Sequence, residues 1–202
     1  PAPVPVKIGL ALGGGAARGF AHIGVIKALE TQGIVPDIVV GTSAGAVVGA
    51  LYASGLNGFE LQKAAMEMDK NHIFDWNVSL RGPLKGDPLR NYINDAVSNR
   101  PLEKLKRGFA VVATDFSSGE PALFRTGNTG WAVQASAAVP GVFQPVAISG
   151  REYVDGGLVS PVPARSARRL GADFVIAVDI SAKARDGRSG NSFDMLLQTY
   201  AI

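Results

Sequence analysis

A short stretch with glycines around a serine, Gly41-Thr42-Ser43-Ala44-Gly45, lies between two apolar runs. It is compatible with few backbone conformations. The run before it, 38–40, has the length of a buried strand, and the run after it, 46–51, consists of small and apolar residues. This pattern predicts a strand, a sharp turn with Ser43 at its apex, and a helix. Flanking glycines suit a tight, strained backbone, and the helix start leaves N–H groups that favour an anion. The stretch indicates a nucleophilic serine, with a simple small-residue helix start as the alternative.

Composition limits the chain to a single globular unit and excludes several classes of protein. Its 202 residues fit one domain, and a hydrophobic fraction of 47% can fill a sizeable core. No run reaches the ~20 apolar residues of a membrane-spanning helix. A net charge of +3 is too small to indicate nucleic-acid binding. The absence of cysteine excludes disulfides, thiolate catalysis and cysteine-bound metals.

A second glycine cluster, Gly13-Gly14-Gly15, follows an apolar run at 6–12 and precedes a helical pattern at 20–30. A glycine loop that opens a helix can hold an anion. The rival interpretation is a dinucleotide fingerprint, but its third glycine would stand at Arg18. The acidic residue expected about 20 positions further on is also missing. We therefore expect an anion other than a nucleotide at this loop.

The rest of the chain alternates between apolar strand patterns and helical patterns, as expected for an α/β domain. Asn57 is predicted to cap a helix, with Glu60 in the reciprocal position, and Asp87 to cap another, with Pro88 as its first residue. These two helices are predicted at 58–69 and 87–97. Other helices are predicted at 131–138 and 164–170, with a shorter one from 100. Strands are predicted at 109–114, 122–124, 146–148, 151–154 and 174–178.

Three segments are predicted to lie outside the regular domain, which spans 7–181. Residues 1–6 form an extended lead-in, and 182–202 form a polar linker followed by the start of a C-terminal helix. The irregular stretch 71–85 carries apolar side chains that we assign to core or lid packing, with an apolar lip for acyl chains or a bilayer as the alternative: Ile73, Phe74, Trp76 and Leu80. Three arginines are assigned to a solvated helix face, with a phosphate-facing patch as the alternative: Arg165, Arg168 and Arg169.

A nucleophilic serine needs a base, and histidine, the usual base, is scarce in this chain. The order serine, acid, histidine of α/β-hydrolases would need a histidine after Asp155, whereas the chain has only His22 and His72. We interpret His22 as structural and His72 as a surface residue. Asp155 ends a predicted strand and precedes Gly156-Gly157, so its carboxylate can meet a partner at close range. The pattern favours a Ser43–Asp155 dyad, in which the carboxylate takes the serine proton directly, over a plain Asp-Gly turn.

Such a dyad needs donors for the tetrahedral oxyanion, and the backbone N–H groups of Gly13, Gly14 and Gly15 suit that task. Exclusion of water around the pair would raise the basicity of the carboxylate. Arg18 is expected to hold the glycine loop or to bind a lipid phosphate, with a plain loop-to-core contact as the alternative. We expect no metal or cofactor, because acyl transfer by this route needs none and no ligand cluster is visible.

Three motifs in this order, G-G-G-x-x-R-G at 13–19, G-T-S-A-G at 41–45 and D-G-G at 155–157, resemble the bacterial patatin-like phospholipase family. The resemblance extends over about 6–180. It implies an α/β fold of three layers, α/β/α, with a central mixed, mostly parallel sheet, and it makes 7–181 the catalytic domain. It also implies that Ser43 is the nucleophile, that Asp155 is the acid, and that Gly13 to Gly15 with Arg18 form the oxyanion loop.

The resemblance implies a lipid acyl hydrolase of the phospholipase A type, which releases a fatty acid through an acyl-enzyme. Its implied partner is a phospholipid or a membrane surface as substrate, not a nucleic acid; a homodimer stays open. Patatin domains that travel with outer-membrane secretion proteins are especially similar. They imply an exported enzyme whose export signal has been removed and whose longer chain continues into a secretion domain, although cytoplasmic relatives exist. An acyltransferase, a lysophospholipase and a non-catalytic phospholipid- or phosphoinositide-binding module remain as alternatives.

Overall fold

The computed structural model describes residues 5–70 and 85–181. Some predictions fall outside these residues, namely those for 1–4, 71–84 and 182–202. They include the surface position of His72 and the packing of the apolar side chains in 71–84. The strands are β1 Ile8–Leu12, β2 Ile38–Thr42, β3 Gly108–Asp115, β4 Pro121–Phe124, β5 Val146–Ile148, β6 Arg151–Asp155 and β7 Phe174–Val178. The helices are α1 Phe20–Thr31, α2 Ala44–Ser54, α3 Gly58–Lys70, α4 Asp87–Ala96, α5 Thr129–Ser136 and α6 Ala164–Arg169.

One mixed sheet runs through the described part of the chain. Strands β7, β1, β2 and β3 are parallel neighbours in that order. Strand β3 then pairs antiparallel with β4 and with β6, and β6 pairs antiparallel with β5. The mixed sheet expected from the family resemblance is confirmed: the pairings among β7, β1, β2 and β3 are parallel, and those that involve β4, β5 and β6 are antiparallel.

Alternate residues of the central strands serve two separate cores, as the period of two in a strand requires. Leu10, Val39 and Val111 pack with the buried faces of α1 to α5 on one side of the sheet. Ala11 and Val40 face the other side, where α6 covers them through residues that include Ala167. Helices therefore cover both faces of the sheet, which confirms the predicted three layers.

Strands β2 and β6 approach each other head-on along one edge of β3. Thr42, the last residue of β2, pairs with Val112 of β3. Asp155, the last residue of β6, pairs with Ala113, the next residue of β3. Strand β4 pairs with both of these β3 residues along the opposite edge, so β2 and β6 share the remaining edge. Their carboxyl ends therefore meet, and Ser43 follows directly after one of them.

The predicted cap of α3 is confirmed. Asn57 Oδ1 accepts hydrogen bonds of 3.0 Å from the N–H groups of Phe59 and Glu60. The Glu60 carboxylate in turn accepts the Asn57 N–H at 2.8 Å. Both halves of the capping box are therefore formed.

Three helix predictions need correction at their ends. The prediction of Asp87 as a cap is wrong, because Gly86, with φ 75°, turns the chain one residue earlier and Asp87 is already helical. Helix α5 begins and ends two residues before its predicted bounds, since Asn128 Oδ1 accepts the Trp131 N–H and caps the helix. The short helix predicted from residue 100 is a 3-10 turn at Leu102–Lys104.

Candidate active site

Ser43 lies at the turn between β2 and α2 in a backbone conformation that serine rarely adopts. Its φ is 53° and its ψ is −119°, and such strain persists only where the surrounding structure fixes it. A Cβ on Gly41 would overlap the Gly45 carbonyl oxygen, and a Cβ on Gly45 would overlap the Leu12 carbonyl oxygen. The two glycines are therefore required by close approach, and the turn has the geometry of a nucleophile elbow.

The two residues predicted to react, Ser43 and Asp155, are in contact. Ser43 Oγ donates a hydrogen bond of 2.6 Å to Asp155 Oδ2. The other carboxylate oxygen, Oδ1, accepts the Gly157 N–H at 2.6 Å. Ser43 is 6% exposed and Asp155 is 2% exposed. The structure thus places a serine hydroxyl in hydrogen-bond contact with an almost fully buried carboxylate. Within the described residues, no histidine forms a hydrogen bond with either group.

Burial raises the pKa of Asp155 from 3.8 to about 6, because the charged form loses its hydration. Hydrogen bonds from Ser43 and Gly157 act in the opposite direction and stabilise the carboxylate. The carboxylate is therefore largely ionised at neutral pH and yet a stronger base than an exposed one. This combination suits a general base that takes a proton from a hydroxyl.

The glycine loop lies beside the nucleophile, but two of its three predicted donors are already engaged. The Gly13 N–H donates to Val178 O at 3.0 Å, and the Gly14 N–H donates to Pro161 O at 2.9 Å. A Cβ on Gly14 would lie 3.4 Å from Ser43 Cβ, so this residue lines the site through its backbone. Within residues 5–70 and 85–181, the Gly15 N–H has no hydrogen-bond partner. Of the three amides predicted as oxyanion donors, those of Gly13 and Gly14 are therefore engaged within the fold, and that of Gly15 is left without a partner among the described residues.

A further donor comes from α2 itself. The N–H of Ala44 is the first in that helix and has no partner inside it, because the first turn of a helix leaves its N–H groups unpaired. It directly follows Ser43 in the chain, which is the position of an oxyanion donor behind a nucleophile elbow. The described residues therefore leave one amide of the glycine loop and the first amide of α2 without a hydrogen-bond partner.

His22 and Arg18 support the loop. His22 is fully buried, and its Nε2–H donates to Gly13 O at 2.7 Å. Burial lowers the pKa of this imidazole, so His22 is neutral at pH 7, in line with its structural interpretation. Arg18 Nε–H donates to Ile180 O at 2.7 Å. This contact joins the 3-10 turn after the glycine loop to the segment that follows β7, and a role of Arg18 in binding a lipid phosphate stays a prediction.

An apolar cavity of about 150 Å³ opens against Ser43. Ser43 and Ala44 form part of its wall, and the remaining lining comes from α1, α2, α3, the 3-10 turn at Ala16–Gly19, and Ala137 directly after α5. The side chains deepest in the core belong to Leu51, Leu61 and Met68. None of the described residues that line the cavity has a formally charged side chain. The cavity therefore offers an apolar environment for the acyl chain of an ester that binds next to Ser43.

Sequence analysis missed the carboxyl end of α5, which touches the backbone of both reacting residues. Ser136 Oγ accepts the Ser43 N–H at 2.8 Å, and Ala138 O accepts the Asp155 N–H at 3.0 Å. Thr114, also missed, donates through Oγ1 to Asp155 O at 2.7 Å. The available sequence signal was a single serine among alanines at 135–138. Side chains this small fill a core only where backbones approach each other closely.

The arginines of α6 are exposed, which confirms the predicted solvated face. Arg168 Nη1 donates to Ala172 O at 3.0 Å and to Asp173 O. In the described part of the chain, no group of three or more His, Asp or Glu side chains is arranged to hold a metal ion. Among those residues there is also no helix with the length and apolarity needed to cross a bilayer.

Comparison with known proteins identifies the family of this chain. The family model described as "Patatin-like phospholipase" matches residues 10–168, a span that includes both reacting residues and the glycine loop. An uncharacterised NTE family protein of Mycobacterium tuberculosis is 36% identical over 177 residues, which are 87% of this chain and 49% of that protein. Patatin-like phospholipase domain-containing protein 6 of Mus musculus is 33% identical over 184 residues, 87% of this chain and 14% of that protein.

Solved structures share the fold at lower sequence similarity. The ExoU–SpcU heterodimeric complex from the type III secretion system of Pseudomonas aeruginosa contains a chain that superposes with a TM-score of 0.53 at 18% identity. That match covers 98% of this chain and 50% of the other. The present chain also spans about half the length of the Mycobacterium relative. These comparisons therefore concern one domain of longer proteins.

Proposed function

The chain belongs to the patatin-like phospholipase family, and on this premise we propose that it is a lipid acyl hydrolase acting through Ser43 and Asp155. Membership of the family supports the lipid hydrolase class. The observation that carries the finer assignment is the hydrogen bond of 2.6 Å from Ser43 Oγ to the buried Asp155 carboxylate. The apolar cavity at the same serine supports an acyl chain as the group that is bound.

The proposed reaction has two halves. In the first, Asp155 takes the Ser43 proton while Oγ attacks the ester carbonyl carbon, and the oxyanion lies near the N–H groups of Gly15 and Ala44. The tetrahedral intermediate then expels the alcohol, which receives the proton from Asp155, and an acyl-enzyme remains. In the second half, Asp155 takes a proton from water as the water attacks the acyl-enzyme. Collapse of that intermediate releases the fatty acid and returns the proton to Ser43.

A phospholipid is the proposed substrate, cleaved at one of its two acyl esters. The proposal follows from the family and from the uncharged cavity, which suits the acyl chain and leaves the head group outside. An exported location and fusion to a secretion domain stay predictions from the resemblance. The activity and partners of the longer protein are proposals of the same kind, because its relatives extend well beyond this domain.

Product analysis by mass spectrometry on mixed phospholipid vesicles tests the proposal. We expect free fatty acid and lysophospholipid from the wild-type protein, and a loss on the order of 10⁴-fold or more in Ser43→Ala. Ser117→Ala, which changes an exposed serine on the turn after β3, is the matched control and should retain full activity. A fluorophosphonate probe should label the wild type and Ser117→Ala, but not Ser43→Ala.

Three outcomes contradict the proposal or redirect it. Hydrolysis that survives Ser43→Ala removes Ser43 as the nucleophile. Acyl products that form only when an acceptor alcohol is added indicate an acyltransferase. Vesicle binding without probe labelling or product indicates a non-catalytic lipid-binding module.

A further inference from the structure

We infer that Ser136 is a positioning residue for this reaction, and that the carboxyl end of α5 sets the distance between Ser43 and Asp155. The inference rests on the proposed function, since it concerns the same pair. It extends to residues that no motif includes. The stretch 136–138 binds the backbone of both reacting residues, although neither of them belongs to α5.

The contacts form two short connections. The Ser43 N–H donates to Ser136 Oγ at 2.8 Å, and Ser136 Oγ–H donates to Val112 O at 2.6 Å. Two residues further on, Ala138 O accepts the Asp155 N–H at 3.0 Å. Ser136 is fully buried and Ala138 is nearly so. One hydroxyl and one carbonyl from a single helix end thus fix the two backbone groups that carry the reacting side chains.

The place of Ser136 follows from the sheet. The register of β2 with β3 ends at the pair Thr42 and Val112, and β6 begins its pairing with Asp155 at Ala113. Where these two strand ends meet, Ser136 Oγ–H donates to the Val112 carbonyl. The hydroxyl links β3 to the first residue beyond β2, where direct pairing has stopped.

Ser43 needs such a link because its own backbone is unfavourable. A residue with φ 53° and ψ −119° keeps that conformation only when its neighbours determine it. The Ser43 side chain is occupied by Asp155 and makes no cap bond to its own helix. The hydrogen bond to Ser136 therefore holds this residue through its backbone N–H.

Helix α5 is itself anchored firmly enough to serve as a reference. Asn128 caps its start by accepting the Trp131 N–H at 2.9 Å. Thr129 Oγ1 donates to Arg100 O at 2.8 Å, and the Gly130 N–H donates to the Asn94 side chain at 2.9 Å. These bonds hold the amino end of α5 while its carboxyl end holds the site.

The test replaces Ser136 by Ala and compares it with Ser54→Ala. Ser54 is the matched control, because it is also buried at a helix end and donates one hydrogen bond of 2.7 Å, to Leu51 O, away from the reacting pair. We expect Ser136→Ala to lower kcat and the rate of fluorophosphonate labelling by about 10- to 100-fold, since misplacement by about 1 Å can cost up to 10²-fold. KM should stay within about twofold, and Ser54→Ala should change neither rate.

A pH profile separates positioning from a loss of stability. The Ser43 hydrogen bond lowers the pKa of Asp155, so a displaced Ser43 should move the acidic limb of kcat/KM to higher pH. Melting temperatures of Ser136→Ala and Ser54→Ala should fall by similar amounts. If Ser136→Ala loses no more activity than Ser54→Ala, or its acidic limb stays in place, the inference is overturned.

Ser136→Cys keeps the test decisive if the alanine variant does not fold. A thiol has the shape of the hydroxyl, although it is larger, and it is a weak donor and acceptor; the chain has no other cysteine. We expect a folded protein with reduced kcat, and full activity would overturn the inference. Failure of the proposed function is distinct, because in that case Ser43→Ala itself retains hydrolysis.

Discussion

Two cavities lie at opposite ends of the central strands, and they differ in both size and chemistry. The cavity of about 150 Å³ is apolar and contains Ser43, directly beyond the carboxyl end of β2. The other cavity, about 320 Å³, lies at the amino ends of β2 and β3, next to Ile38 and Gly108. Its lining includes charged side chains: Glu103, Lys106, Arg107 and Arg125. The larger and more charged space is the one without a nucleophile.

If the proposed function is correct, strand direction, rather than cavity size, determines where the chemistry lies. At the carboxyl ends, β2 and β6 stop on consecutive residues of β3 and leave Ser43 and Asp155 in contact. At the amino ends, charged groups serve the fold. Arg107 binds Tyr52 O and packs 4.1 Å from the Tyr52 ring centre, and Glu103 accepts the Gly127 N–H. Open α/β sheets place ligands at the carboxyl ends of their strands.

The strongest way to break this comparison is to remove the base from the smaller cavity. We expect Asp155→Asn to lower kcat by roughly 10²–10⁴-fold, the usual contribution of a positioned general base. Asp95→Asn, on the exposed face of α4, is the control and should be fully active. Steady-state hydrolysis of a phospholipid measures both variants.

The melting temperature shows whether Asp155→Asn acts through chemistry or through folding. Because the pKa of Asp155 is higher in the fold than in the unfolded chain, the wild type loses stability as pH rises from about 4 to about 6. The neutral amide lacks this loss, so the variant should melt no lower than the wild type at pH 8. A much lower melting temperature would attribute the lost activity to misfolding.

The pH dependence is the next largest effect. The base must be ionised, so kcat/KM should rise with pH around a midpoint near 6, the value to which burial raises the pKa of Asp155. Below the midpoint the rate should fall about tenfold per pH unit, which is about 100-fold between pH 7 and pH 4. A midpoint near 4 would mean that Asp155 is not the titrating base.

Narrowing the smaller cavity should have a more modest effect. Ala65 lines it from α3 and is half-buried, so Ala65→Phe should reduce the space for a long acyl chain while the protein still folds. We expect the ratio of kcat/KM for long-chain over short-chain esters to fall by about tenfold.

Arg125→Ala, in the larger cavity, is the control for this change. It should leave the ratio unchanged and alter neither rate, because no charged group there contacts the site. An equal effect of both variants would contradict the assignment of the acyl chain to the smaller cavity.

The motifs predicted the elements that carry the site, because local chemistry demands those residues. Gly41 and Gly45 are needed wherever a strand turns this sharply, and Asp155 is marked by the glycines behind it. Each of these two signals lies within a few residues of the feature that it predicts. The three-layer fold, in contrast, was expected from the family resemblance that the three motifs carry.

The remainder depends on contacts between distant segments and could not be read from the sequence. The Gly13 and Gly14 amides are engaged by Val178 and Pro161, which lie far along the chain, so their loss as donors has no local signal. Ser136 reaches Ser43 only because α5 packs beside β3, across a separation of 93 positions. The cap predicted at Asp87 is a lesser error of the same kind. Gly86 adopts a positive φ and begins the helix one residue earlier, and the local sequence does not show which conformation a glycine adopts.

The head-on meeting of β2 and β6 has a consequence for how such chemistry can be inherited or transplanted. Ser43 and Asp155 are 112 positions apart in the sequence. The distance between them in space is nevertheless set by two consecutive residues of β3, with which the ends of β2 and β6 pair. Insertions in the surface turn at 116–120 leave that spacing intact, whereas a slip of β2 by one residue would shift the serine by about 3.3 Å. A designer who grafts this pair onto another scaffold needs one strand with two collinear neighbours, and the loops between them are free to vary.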